Sequence, residues 1–169
     1  MELGLRAFRH LGVREPLLPI IVELCQVLGN TIPCITVYDQ GMAIMTDYVE
    51  LIDGVPVQSA QTRPKWAPAT PSVYPVLADL PPRVLDEAFE LRPPAAPSID
   101  RADLDSRLER ARMDGYSRAF GVGWQRAGFG SLSVPVRDRS GAVVAAIAIL
   151  LRSADQPTPS CRGPPRSSA

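Results

Sequence analysis

The sequence predicts an α/β (α+β) protein in which helices pack on an antiparallel sheet of about five or six strands. Three observations point to this class. Short apolar segments are separated by turn sequences rich in Asp and Gly, such as Asp53-Gly54 and residues 138–141. Other segments repeat apolar residues at helical spacing. A chain of 169 residues with 46% hydrophobic content is long enough to bury one core.

The N-terminal third predicts a helix followed by two hairpins. Residues 15–28 place apolar side chains every three or four positions, and Gly29 follows as a helix-ending residue. Segments 32–38 and 42–46 flank Asp39-Gln40-Gly41 and predict the first hairpin. Segments 48–52 and 55–59 flank Asp53-Gly54 in the same way, so the sheet is expected to grow as a meander.

Prolines divide the middle of the chain. They are frequent over residues 61–82, which excludes a long helix and predicts a loop with a short helical piece. Residues 82–90 predict a helix that begins at a proline. A further helix, capped by Ser98 or Asp100, is expected to end at Gly115.

The last predicted hairpin joins residues 131–137 to residues 142–151. The second of these segments is apolar at nearly every position, which predicts a central strand covered on both faces. Residues 153–169 are rich in Pro, Ser, Arg and Gly without any apolar period. That composition predicts a disordered tail.

Composition and charge disfavour several classes of function. Lys and Arg together number 18, as do Asp and Glu, so no overall positive charge favours nucleic-acid binding by this chain alone. The three cysteines form no C-x-x-C pair, so we expect no metal, disulfide framework or cofactor. No apolar stretch reaches the roughly 18 residues that span a bilayer, which predicts a cytoplasmic protein without a membrane partner.

Catalytic motifs are also missing from the sequence. The single histidine, His10, has no nucleophile and acid arranged around it, so we expect no catalytic residues. The acidic residues between 100 and 109 alternate with arginines, as on a solvated helix face. Paired glycines near residues 121–130 lack the full spacing of a dinucleotide-binding loop. Binding is therefore the favoured class of function.

A charged helix ending at Gly115-Tyr116 is followed by a strand with Pro135-Val136, a turn ending at Gly141 and an alanine-rich strand. This order resembles the effector-binding domain of IclR-type bacterial transcription regulators. The similarity covers roughly residues 3–150, with Leu28-Gly29 at the place of a family Leu-Gly motif. The resemblance implies a GAF-like fold and a sensor rather than an enzyme.

The resemblance also implies a ligand pocket. The family lines it with a stretch that aligns with residues 66–78, where Pro68 replaces a histidine and Val73 a glycine. Ala148 and Leu150 stand where family members often have serines. The implied ligand is a small organic or aromatic acid, held between the sheet and residues 63–74. The effector-binding residues expected from it are Thr70, Ser72, Ser131 and Trp124.

The implied partners are a second copy or more of the chain, as a homodimer or tetramer, and DNA only through a winged helix-turn-helix absent from this chain. We divide the chain into a remnant of the interdomain linker helix (1–14), the effector-binding domain (15–152) and the tail (153–169). Two alternatives stay open. One is a degenerate or stand-alone small-molecule-binding fragment without DNA binding, and the other is an enzyme on the same scaffold.

Overall fold

The computed structural model describes residues 2–60, 64–120 and 129–152. Within these ranges the helices are α1 (Glu2–Leu28), α2 (Tyr74–Asp79), α3 (Pro82–Glu90) and α4 (Arg101–Asp114). The strands are β1 (Thr31–Asp39), β2 (Met42–Ile52), β3 (Val55–Ser59), β4 (Lys65–Trp66), β5 (Ser117–Phe120), β6 (Phe129–Arg137) and β7 (Val143–Arg152). Two short 3₁₀ turns, Ala67–Ala69 and Pro71–Val73, precede α2.

The strands form one antiparallel sheet in the order β3-β2-β1-β7-β6-β5, and β4 pairs with the start of β2. The predicted class is therefore confirmed. Strands β4 and β5 have only two and four residues, and the sequence did not predict them. Segments this short show no alternation long enough to recognise.

The two N-terminal hairpins form as predicted. Gln40 and Gly41 have φ values of 46° and 81°, and Asp53 and Gly54 have 52° and 77°, which is the signature of tight two-residue hairpin turns. Segments 42–46 and 48–52, however, belong to one strand, β2. The β1–β2 register shifts between Ile35, which pairs with Asp47, and Thr36, which pairs with Met45. This local irregularity lets the strand continue through the polar position that separates the two segments.

Helix α1 lies across one face of the sheet and buries Leu17, Ile21 and Cys25 against β1 and β2. It starts at Glu2 and continues without a break through residue 15, where the apolar period begins. Pro16 and Pro19 therefore lie inside the helix and not in its first turn. Both prolines are exposed, so water can satisfy the carbonyls that lose an intrahelical partner.

Strand β7 is central, between β1 and β6, as predicted. Its cover on the α1 side is only partial, which corrects the expectation of two fully covered faces. On that face of β7, Ala145 is completely buried, but Ile147 and Ile149 are only half-buried. The reason is that α1 packs mainly on β1 and β2, at the other side of the sheet.

The remaining predicted helices, α3 and α4, form with the predicted starts and ends. Helix α3 has the predicted bounds, residues 82–90. The Asp100 carboxylate caps α4 by accepting a hydrogen bond from the Asp103 amide at 2.9 Å. Gly115 ends α4 with φ 74°. No helix in the described ranges is long and apolar enough to cross a membrane. The predicted tail, 153–169, lies outside the described residues.

Candidate functional site

Buried polar side chains concentrate on one face of the sheet. We call it the loop face, because residues 66–80 cover it. In the described ranges the buried polar residues are Thr36, Asp47, Ser72, Ser117, Ser131 and Ser133. All except Asp47 lie on the loop face or in the segment that covers it. Burying a hydroxyl is unfavourable unless it forms a hydrogen bond, so this concentration marks a candidate site.

The register of the strands brings these small side chains into rows. Residue Cys34 of β1 pairs with Ala148 of β7, and Ala148 pairs with Ser133 of β6. Ser131 lies in the next row, between Leu150 and Ala119. We call this surface the polar floor, which comprises Cys34, Thr36, Ser117, Ser131 and Ser133. Its side chains are short, so the covering segment can approach the sheet closely.

The turn at Pro71–Val73 is attached directly to the polar floor. Thr36 donates a hydrogen bond from Oγ1 to Ser72 Oγ at 3.3 Å. The Ser133 hydroxyl donates to the Pro71 carbonyl at 3.4 Å. Both serines and the threonine are at least 97% buried. These two bonds hold the turn over β1 and β6.

Ser131 differs from its neighbours because its hydroxyl is unsatisfied. The side chain is 1% exposed, and its Oγ has no hydrogen-bond partner among the described residues. Leaving a buried donor or acceptor unpaired costs about 1–3 kcal/mol, so such a group in a native structure calls for a ligand or a water molecule. Ser131 is therefore the part of the floor best placed to bind something further.

The other predicted site residues have different surroundings. Ser72 lies in the covering turn and accepts the hydrogen bond from Thr36 of the floor. Thr70 is only half-buried, and its hydroxyl donates to the Trp66 carbonyl at 2.8 Å, within its own turn. Trp124 falls in residues 121–128, outside the described ranges.

The positions where the sequence departs from the family pattern are well packed. Val73 is completely buried in the core. The Pro68 carbonyl accepts a hydrogen bond from the Tyr74 hydroxyl at 2.9 Å. Burial raises the pKa of Tyr74, which keeps this hydroxyl protonated as a donor. Near Ser131 and Ser133, Ala148 and Leu150 provide only apolar side chains.

Sequence reasoning missed four residues of the polar floor, namely Cys34, Thr36, Ser117 and Ser133. The signal was present, because polar side chains occupy alternate positions in Cys34-Ile35-Thr36 and Ser131-Leu132-Ser133, within otherwise apolar strands. Alternate residues of a strand share a face, so both pairs point to one side. What the sequence did not reveal was that β1 and β6 are brought together on either side of β7.

The floor is suited to hydrogen bonding. Burial raises the pKa of the Cys34 thiol to about 12, so the thiol is neutral and a poor nucleophile at ordinary pH. In the part of the chain that the structure describes, no group of three His, Cys, Asp or Glu side chains is placed to hold a metal ion. The arrangement can therefore recognise hydroxyl or carboxylate oxygens through serine and threonine hydroxyls.

No family model matches the sequence, and no curated protein matches it either. Solved structures do. IclR of Thermotoga maritima superposes with a TM-score of 0.68 at 20% identity, over 88% of this chain and 63% of that one. HmgR of Pseudomonas aeruginosa gives 0.68 at 23% identity, over 89% of this chain and 60% of that one.

A third match is an inducer-binding domain alone. It is a double mutant of the PobR transcription factor from Acinetobacter in complex with 3-hydroxybenzoic acid, with a TM-score of 0.63, 20% identity and 78% of each chain covered. The present chain spans 54–63% of the length of the first three regulators it matches. The chain has the fold of the effector-binding domain of IclR-type transcription regulators.

Proposed function

We propose that this chain is an effector-sensing domain that binds a small organic or aromatic acid on the polar floor. The observation that carries the proposal is the Ser131 hydroxyl, which is buried without a partner among the described residues. It lies on the same face of the sheet as the Thr36–Ser72 hydrogen bond that holds the covering turn. A ligand oxygen bonded to Ser131 would relieve the cost of burying that hydroxyl.

The chemistry of the floor supports this class of ligand. Serine and threonine hydroxyls can donate to a carboxylate or a phenolic oxygen, and the neighbouring Ala119 and Leu150 offer apolar contact to the body of the ligand. The PobR domain in the matching structure is a complex with 3-hydroxybenzoic acid. A compound of that kind has both the polar and the apolar parts that the floor would contact.

The proposed mechanism is a shift between two positions of the covering turn. The turn is held by the Thr36–Ser72 and Ser133–Pro71 bonds, so a ligand that competes for these hydroxyls favours a different position of residues 66–74. A ligand shifts such an equilibrium only by its difference in affinity for the two states. In a regulator with an attached winged helix-turn-helix, the shift would alter DNA binding by that domain.

The proposal includes self-association into a homodimer or tetramer. On the α1 side of the sheet, Leu132, Val134 and Phe120 are 38%, 42% and 68% exposed. They lie beside the half-buried side chains that β7 places on the same face. Apolar surface of this kind favours contact with a second copy. Sedimentation is expected to show that Val134→Lys weakens the assembly. Met113→Lys, at a 72% exposed apolar residue of α4, is the matched control and should leave it intact.

The ligand proposal is tested by thermal unfolding in the presence of aromatic and aliphatic acids, beginning with 3-hydroxybenzoate. A ligand that binds only the folded state raises the midpoint, by an amount that grows with the logarithm of its concentration above Kd. We expect such a rise in the wild type and a smaller one in Ser131→Ala. Analysis of the same mixtures for reaction products distinguishes a sensor from an enzyme, because turnover of the acid would favour the enzyme alternative. No stabilisation by any acid would contradict the proposal.

A further inference from the structure

A cleft opens where helix α4 meets β5, the last strand of the described sheet. Arg107, Arg110 and Asp114 line it from the last two turns of α4, and Ser117 and Arg118 line it from β5. The helical residues follow one another at spacings of three and four, so they share one face of α4. The cleft encloses about 360 Å³, including the space at its open mouth. This space suits a small ligand and lies beside the polar floor.

Positive charge dominates this cleft. Three guanidinium groups line it, and Asp114 is the acidic residue among its lining. Arg107 contacts the exposed Asp103 carboxylate through Nε at 2.8 Å. Asp114 lies one helical turn after Arg110, yet the two form no ion pair in the described structure. Three arginines against one aspartate leave an excess of two positive charges around the space.

Arg110 and Arg118 differ from most other arginines in their partners. In the part of the chain whose side chains the structure describes, most arginines bond to a carboxylate or a carbonyl, as Arg101 and Arg112 do. The side chains of Arg110, Arg118 and Arg139 form no ion pair or hydrogen bond with a described residue. Two of these three therefore line the same cleft. Like charges that share a small space repel one another, and an anion between them would replace that repulsion by attraction.

We propose that this cleft binds a phosphate group, either as free phosphate or as part of a small phosphate monoester. A guanidinium presents its N–H donors as a planar fork that pairs with two oxygen atoms, so a single arginine already satisfies a carboxylate. A phosphate group has three terminal oxygens and up to two negative charges, which match donors that a helix and a strand supply together. The buried Ser117 adds a hydroxyl donor. Tyr116 and Ala111 add apolar surface for the organic part of an ester.

The phosphate site is separate from the proposed effector site. The cleft lies on the α4 side of β5, whereas the covering turn is held over β1 and β6 by its bonds to Thr36 and Ser133. Ser117 is the residue that the cleft and the polar floor have in common, and it pairs with Ser133. The inference therefore goes beyond the sensing function and does not depend on it.

Titrations of the uniformly ¹⁵N-labelled chain with inorganic phosphate and with phenyl phosphate test the proposal. They are run above the second pKa of phosphate, at an ionic strength held constant with sodium chloride. We expect saturable shifts of the Arg110, Ser117 and Arg118 backbone amide signals with at least one of the two. Saturation by phenyl phosphate assigns the site to esters, and saturation by inorganic phosphate alone assigns it to the free ion. Benzoate, which carries the same ring and one charge, should bind here about fivefold more weakly or less.

Two variants of lining residues should act in opposite directions. Arg118→Gln removes a cation and should weaken phosphate binding by about fivefold or more, whereas Asp114→Asn removes the opposing charge and should strengthen it by about twofold to fivefold. Arg139→Gln is the matched control and should leave the affinity unchanged, because Arg139 also lacks a described partner but lies in the turn between β6 and β7. Opposite changes in affinity cannot both arise from a loss of folding.

Three results would overturn the phosphate site. Shifts that do not saturate, or that sodium chloride alone reproduces, would mean that the arginines only attract bulk anions. An equal loss of affinity in Arg118→Gln and Arg139→Gln would mean that only the net charge of the chain matters. If an acid shifts the Ser131 amide while neither phosphate compound shifts the cleft signals, the sensing function stands and the phosphate site is wrong. Circular dichroism of each variant without ligand checks that the fold is retained.

Discussion

The Nε atom of Arg14 in α1 lies 3.0 and 2.9 Å from the two carboxylate oxygens of Asp47 in β2. The Asp47 side chain is completely buried, and Gln58 of β3 donates a further hydrogen bond to it at 2.7 Å. This is the buried polar group on the α1 side of the sheet in the described ranges. It joins a helix and two strands that are distant in sequence, so it fixes where α1 crosses the sheet.

Arg14→Gln should destabilise the fold, because it leaves a buried carboxylate without its cation. We expect a loss of roughly 2–4 kcal/mol in the free energy of unfolding, measured by urea denaturation. Arg110→Gln, on the exposed side of α4, is the matched control and should change stability by less than about 0.5 kcal/mol. Equal effects of the two variants would show that the Arg14–Asp47 contact contributes little.

The Thr36–Ser72 bond predicts a coupling between the sheet and its cover. Thr36→Val and Ser72→Ala should each cost roughly 1 kcal/mol, since both residues are almost completely buried. The double variant should cost less than the sum of the two by about 1 kcal/mol, because the bond is lost only once. Urea denaturation of the four proteins measures this coupling. Additive effects would mean that the 3.3 Å contact is not energetically significant.

Ser131 and Ser133 make a matched pair on one strand and one face. Ser133→Ala removes the bond to the Pro71 carbonyl and should cost about 0.5–1.5 kcal/mol in the free protein. Ser131→Ala removes a hydroxyl without a described partner and should be neutral or stabilising by up to about 1 kcal/mol. For stabilisation by a bound acid the order should reverse, so that Ser131→Ala loses more of the stabilisation than Ser133→Ala. A Ser131→Ala variant as unstable as Ser133→Ala would show that the hydroxyl is already bonded.

Cys34 predicts a loss of stability at alkaline pH. Burial raises its pKa from an ordinary 9.0 to about 12 in the folded chain, so the folded state favours the neutral thiol. Its contribution is complete below the unfolded pKa and is lost as the pH rises through the interval up to the folded pKa, by about 1.4 kcal/mol per unit. Unfolding of wild type and Cys34→Ala should therefore converge over this interval. Parallel curves would contradict the assignment.

Much of the fold followed from local signals. Asp53-Gly54 and Gln40-Gly41 take the positive φ values that their turns require, Asp100 and Gly115 bound α4, and the apolar run after Gly141 became the central strand. These features depend on the conformational preferences of a few adjacent residues. For that reason they can be predicted from a single sequence.

The site depended on contacts that no local pattern encodes. Thr36 and Ser72 are 36 residues apart, and Ser133 and Pro71 are 62 apart. Only the insertion of β7 between β1 and β6 places Thr36 and Ser133 under the same turn. The sequence determined the hairpin turns, the bounds of α3 and the caps of α4 because those are local, whereas strand order and burial decided which hydroxyls share a site.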